Sequence, residues 1–181
     1  ARAWLTRTPI MGSSPGDDGD EEVVKAYVES HISAQVKHGE EMAARMSKWG
    51  MGNSEAMKAR FASIAQGARD FLMPEGEIDR ARAGLLFIES YRDLPLLSWP
   101  RTLIDRMIEL EEAMVKWRHS HARMVERIIG RRIGTGGSSG VDYLDATTSY
   151  RVFTDLWSVR TILIRADLRP TLINPEFYGF A

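Results

Sequence analysis

Trp117-Arg118-His119-Ser120-His121-Ala122-Arg123-Met124-Val125-Glu126-Arg127-Ile128-Ile129-Gly130 leads, through Arg131-Arg132-Ile133, into Gly134-Thr135-Gly136-Gly137-Ser138-Ser139-Gly140. The first part reads as the end of an amphipathic helix. Ile104, Met107, Met114, Trp117, His121, Met124, Val125 and Ile128 fall three or four apart and so share one helical face. His121 sits in the middle of that face and away from the charged side. The second part is almost wholly Gly, Ser and Thr. Such a segment can bring backbone N–H groups and hydroxyls against a ligand. Read by itself it could equally be a static connector between two helices.

The composite of the two parts carries a resemblance. Trp117-Arg118-x-x-His121, then Arg127-x-Ile129-Gly130, then the run Gly134 to Gly140, resembles the signature of the tryptophan 2,3-dioxygenase family. Tyr150-Arg151-Val152-Phe153-x-Asp155-Leu156-Trp157 is similar to the family's closing helix. The resemblance implies that His121 is the axial ligand of a b-type haem. It implies that Thr135, with Gly134 and Gly136, lies on a loop that closes over an amino-acid substrate and meets its ammonium group. Arg2-Ala3-Trp4-Leu5, followed by Gly12-Ser13-Ser14-Pro15, resembles the family segment whose arginine clamps the substrate carboxylate. Arg2 would then supply the bidentate guanidinium that carboxylate recognition favours; its plain alternative is a surface arginine. In the family the distal histidine precedes that arginine segment. His31 and His38 both follow Arg2, so neither matches by order, and both read as surface or helix-packing residues. No distal group is assigned.

Without the motif, a lone histidine on an apolar helix face reads as a core residue. His119, two residues from His121, points elsewhere, so the pair lacks the four-residue spacing of a helical zinc site. Arg118, Arg123, Arg127, Arg131 and Arg132 gather late in the same helix, where basic residues suit the dipole; one or two could pair with haem propionates.

Composition narrows the remaining classes. The 181 residues carry 24 basic and 25 acidic side chains, a net charge of -1. That balance offers no field for nucleic acid or an acidic membrane. With no cysteine there is no disulfide, thiolate nucleophile or Cys-attached haem. No apolar run approaches the roughly 18 residues of a membrane span, and a cytoplasmic location is expected. The chain opens on Ala1, inside what reads as an element, and is expected to be part of a longer polypeptide.

Periodicity predicts helices over Glu21–Trp49, Glu55–Leu72, Glu77–Tyr91, Pro100–Arg131 and Ser149–Arg165, with breaks at Gly50-Met51-Gly52-Asn53 and Pro74-Glu75-Gly76. Asp17, Asp18 and Asp20 suit the start of the first of these. No strand alternation persists, so the class is all-α, a helical bundle. The expected organisation is one haem-binding domain over residues 1–181. Within it, 1–20 is a substrate-side segment, 21–131 the bundle, 132–148 the Gly-rich loop and 149–181 a closing helix and tail.

Together these imply a haem-dependent oxygenase acting on an aromatic amino acid with dioxygen. Opening of the indole ring of L-tryptophan to N-formylkynurenine is the leading expectation. Asp142-Tyr143-Leu144-Asp145-Ala146-Thr147-Thr148 and the tail Asn174 to Phe180 keep a second reading open, a haem-dependent hydroxylase or mono-oxygenase of tyrosine or a tryptophan derivative, driven by dioxygen or peroxide. A third is a non-catalytic haem-binding helical protein. The resemblance also implies a homo-oligomer.

Overall fold

The computed structural model describes residues 2–50, 54–132 and 140–179. Its helices are α1 (Arg2–Leu5), α2 (Asp20–Lys48), α3 (Ser54–Leu72), α4 (Arg80–Ser90), α5 (Ser98–Ile129), α6 (Gly140–Thr147) and α7 (Thr154–Ser158). Short 3-10 turns fill Pro74–Gly76, Pro95–Leu97, Val159–Ile162, Ala166–Leu168 and Pro175–Tyr178. Among the described residues the sole β feature is an isolated bridge between Ile10 and Ser13. The all-α class is as the sequence predicts. The chain divides into two compact units, Ala1–Arg101 with Asp155–Ala181, and Thr102–Thr154.

The first unit is built around α4. Every residue from Ala83 to Ser90 is buried, as in a helix enclosed on all sides. It starts later than its apolar pattern predicts because the Asp79 carboxylate accepts from the N–H groups of Ala81 and Arg82, at 3.1 and 3.2 Å. That is an N-cap satisfying two orphan donors. Gly84 lets α1 come close: a Cβ there would lie 2.5 Å from the Leu5 carbonyl oxygen. α2 packs along α3, and Gly39 permits it, since a Cβ at that position would meet the Phe61 Cβ at 2.7 Å. Phe87 joins Tyr27, Tyr91 and Tyr178 in one aromatic cluster.

The acidic residues before α2 do not cap it with their side chains. The N-cap is Gly19, in the left-handed region at φ 78. Asp20 is buried and paired with Arg80 at 2.8 Å, and it also accepts from the Ser13 hydroxyl at 2.9 Å. The cost of burying that carboxylate is offset by a partner and a donor. Along α2, Val24, Val28, Ile32, Gln35 and Ala43 are buried, and Trp49, just past its end, is exposed.

The helix expected over Ser149–Arg165 is broken. Only α7 is α-helical, and Val159–Ile162 tightens into a 3-10 turn. The β-branched Val159, Thr161 and Ile162 disfavour helix continuation. The Ile162 carbonyl instead accepts from His31 Nε2 at 2.9 Å. Beyond it the tail is strapped down by side chains. The Tyr91 hydroxyl donates to the Pro170 carbonyl, and Arg169 donates to that of Ser90. The Tyr178 hydroxyl accepts from Gly12 N–H at 2.8 Å and donates to the Pro9 carbonyl at 3.0 Å.

The second unit holds most of α5 and all of α6. The sequence reading assigned residues 132–148 to a loop, but Gly140–Thr147 is helical. The segment Val141 to Ala146 contains no breaker. The helix stops where Thr147, Thr148 and Ser149 turn their hydroxyls back onto the carbonyls of Leu144, Asp145 and Ala146, at 2.7, 2.6 and 2.8 Å. Such local bonds compete with a continuing ladder.

Candidate functional site on helix α5

α5 has two different sides. Its buried residues are Ile104, Ile108, Glu111 and Ala122. Trp117, His121, Met124 and Ile128 lie roughly 130° around the helix from them, at about 100° per residue. Trp117, Met124 and Ile128 are 65%, 50% and 73% exposed. The apolar stripe read from the sequence is core along only part of its length. Ile104 is buried, and Met107, Met114 and Val125 are half-buried. The part that carries the histidine faces outward. Exposed large apolar side chains in an unbroken row mark a surface that binds something.

His121 lies half-buried in that row. Its ring stacks parallel to Trp117, one helical turn earlier, with centroids 5.3 Å apart and planes at 6°. Neither ring nitrogen of His121 has a hydrogen-bond partner among the described residues. The donor set therefore offers one imidazole lone pair flanked by apolar surface. No group of three or more His, Asp or Glu suited to a metal ion occurs among the described residues. A single axial nitrogen on an apolar face fits a metal that brings its other ligands with it in a flat, largely apolar macrocycle.

The arginines beside His121 face α6 and the turn after it. Arg118 donates to the carbonyls of Tyr150 and Thr147, at 2.9 and 3.3 Å. Arg123 pairs with Asp145 and Glu126. Arg131 reaches Asp142 at 3.0 Å and Glu126 at 3.1 Å. The hydrogen bond from Arg123 holds the Asp145 carboxyl below the usual carboxylate range, and the exposed His119 adds to that field. Arg118, Arg123 and Arg131 thus have protein partners.

Arg2 is also engaged. One terminal nitrogen contacts Asp79, and the other reaches Asp155 at 2.9 Å. Arg82 joins the same cluster, 3.1 Å from Asp155 and 3.6 Å from Asp79. Burial pushes the Asp79 carboxyl up, but the bonds from Arg2 and Arg82 outweigh it and hold the group low. The Arg2 side chain is 57% exposed, and the two aspartates leave part of its five-donor guanidinium unused. His31 is fully buried against Tyr27 and donates to the Ile162 carbonyl, a packing role as read from the sequence; His38 is half-buried. Gly134, Thr135 and Gly136 lie outside the described residues.

A family model described as tryptophan 2,3-dioxygenase matches residues 1–163. The chain belongs to the tryptophan 2,3-dioxygenase family. A tryptophan 2,3-dioxygenase-like protein of Xanthomonas campestris pv. campestris (strain 8004) is 45% identical over 98% of this chain and 68% of its own length. Tryptophan 2,3-dioxygenase 2 of Ralstonia nicotianae is 44% identical over 99% of the chain and 51% of its own length. The mouse tryptophan 2,3-dioxygenase is 33% identical over 98% and 45%. The chain therefore spans about two thirds of the first relative and about half of the other two. The family is one of haem-dependent dioxygenases, and the exposed face around His121 is chemically suited to that cofactor. Sequence reasoning missed Glu111, a buried carboxylate on α5. Its spacing from Ile104 and Ile108 placed it on a buried side, where a charged residue is a signal of a specific partner.

Proposed function

We propose that this chain is the haem-bearing part of a dioxygenase that opens the indole ring of L-tryptophan to N-formylkynurenine, with His121 as the axial ligand of haem b. The observation that carries this is His121 itself: a half-buried imidazole with no hydrogen-bond partner among the described residues, centred on an exposed apolar row, in a chain of this family. Bound haem supplies the oxygen chemistry, in which both atoms of dioxygen enter the C2–C3 bond of the indole. The chain's own residues bind and orient. His121 would hold the haem iron through one ring nitrogen. Trp117 stacks on the imidazole and fixes its rotation about the helix. Met124 and Ile128, exposed on the same side, would pack against the bound group and keep water from that face. Following the resemblance, Thr135 with Gly134 and Gly136 would meet the substrate ammonium group. Arg2, by the same resemblance, would meet the carboxylate with the donors that its two aspartates leave free. Work in the cytoplasm as a homo-oligomer completes the reading; no helix among the described residues is long and apolar enough to cross a membrane.

The test is His121→Ala, with His119→Ala as its matched control. Haem titrated into the first should lose the absorption band of a histidine-ligated iron. The control should keep both the band and the stoichiometry. Identical spectra for His121→Ala and wild type would overturn the assignment.

A further inference from the structure

Between α6 and α7 the chain makes an irregular turn, residues 148–153. The amides of Thr148, Ser149 and Tyr150 still turn back onto the carbonyls of Asp145, Ala146 and Thr147, but the Tyr150 carbonyl and the amides of Val152 and Phe153 have no helical ladder to enter. Two side chains of α5 satisfy them from opposite chemical sides. The Glu111 carboxylate, 1% exposed, accepts from the N–H groups of Val152 and of Phe153, the latter at 2.9 Å. Its other oxygen lies 3.8 Å from Arg151. The Arg118 guanidinium donates to the carbonyl of Tyr150 at 2.9 Å and to that of Thr147, the last residue of α6, at 3.3 Å. A cation there also complements the negative end of the α6 dipole. A buried carboxylate is costly unless its lone pairs are filled, and here two amides fill one oxygen. Arg118 and Glu111 are two helical turns apart on α5, about 20° from each other around the axis.

We infer that Arg118 and Glu111 are positioning residues that clamp the 147–153 turn, and with it α6, onto the helix that carries His121. Arg118 is three residues from His121, so one rigid helix holds both the imidazole and the anchor of the returning chain. The clamp stands on hydrogen bonds alone. Its consequence for catalysis rests on the proposed function: substrate affinity should depend on Arg118, and haem affinity should not. The rival role for Arg118 is a partner for a haem propionate.

Amide hydrogen exchange on the protein without haem separates the two. Arg118→Met should speed exchange across residues 143–153 by at least about tenfold, the size of one lost charge-assisted bond. Glu111→Gln, which keeps the shape and weakens the acceptor, should do so most at Val152 and Phe153. Arg118→Lys keeps a charge at the end of α6 but not the spread of donors, and should fall between wild type and Arg118→Met. If Arg118→Met does not fold by circular dichroism, Arg118→Lys decides alone. In the haem-loaded protein, Arg118→Lys should raise KM for tryptophan several-fold with the haem dissociation constant unmoved. Unchanged exchange in all folded variants, or a weakened haem affinity with unchanged exchange, would overturn the clamp. If His121 proves not to bind haem, the exchange result still stands or falls by itself.

Discussion

Removing one oxygen atom at Tyr178 tests the latch between the tail and the segment before α2. The ring is buried, and its hydroxyl is held between the Gly12 amide and the Pro9 carbonyl. Tyr178→Phe keeps the ring against Phe87, 5.3 Å between centroids, and strands both backbone groups. A stranded group costs about 1–3 kcal/mol when water cannot reach it. The site is part-buried, so water should recover one of the two, leaving a loss of about 2 kcal/mol. For a chain of 181 residues that corresponds to roughly 4–8 °C in Tm. Urea and thermal unfolding followed by circular dichroism would measure it, with the exposed Ile173→Thr as a control within about 0.5 kcal/mol. Burial pushes the Tyr178 phenol up to about 12, so it keeps its proton and the difference should be flat through neutral pH. A loss below about 0.5 kcal/mol with an unchanged m-value would refute the latch.

Gly84→Ala should destabilise by about 1–3 kcal/mol, because the new methyl meets the Leu5 carbonyl at 2.5 Å and α1 must back away; an unchanged urea midpoint would remove that close approach. Burial holds the His31 imidazole below its usual range, so the unfolded chain binds the extra proton first. Stability is then fully present above about pH 6.5 and falls as pH drops below it toward the folded value. His31→Gln keeps a donor for Ile162 and should flatten that slope below about pH 6.5, and an unaltered slope would exclude His31 as its source. Asp79, held low, contributes a separate loss that begins only near its ordinary 3.8.

Long periodic segments were legible from sequence, and short ones were not. α2, α3 and α5 begin and end within two residues of their apolar patterns, since many positions vote for each. α6 was hidden because Gly140 and the run before it signal a loop, while the eight residues Gly140–Thr147 are too few for a clear period. The end of α7 was hidden because its competitor, the His31 bond to Ile162, comes from 131 residues away. At the candidate site, the sequence singles out His121 by chemistry and spacing together. Its exposure was not legible, because one apolar stripe looks the same whether it faces a core or a cofactor. Arg2 shows the opposite limit: a guanidinium in a plausible motif gives no hint that Asp79 and Asp155 reach it through folding.

The division of the chain has a consequence for its synthesis. Residues 102–154 sit between the two parts of the first unit, and Asp155, the partner of Arg2 and Arg82, lies just beyond them. A ribosome must therefore emit α5 and α6 before it supplies the residues that complete what α1 to α4 began. At about 5–20 residues per second, roughly fifty intervening residues impose a delay of some 3–10 s. During it the aromatic cluster of Tyr27, Phe87 and Tyr91 lacks Tyr178, and His31 lacks the carbonyl of Ile162. The nascent chain carries an open apolar seam for that interval. Slower codons within residues 102–154 would lengthen the exposure without changing a single amino acid.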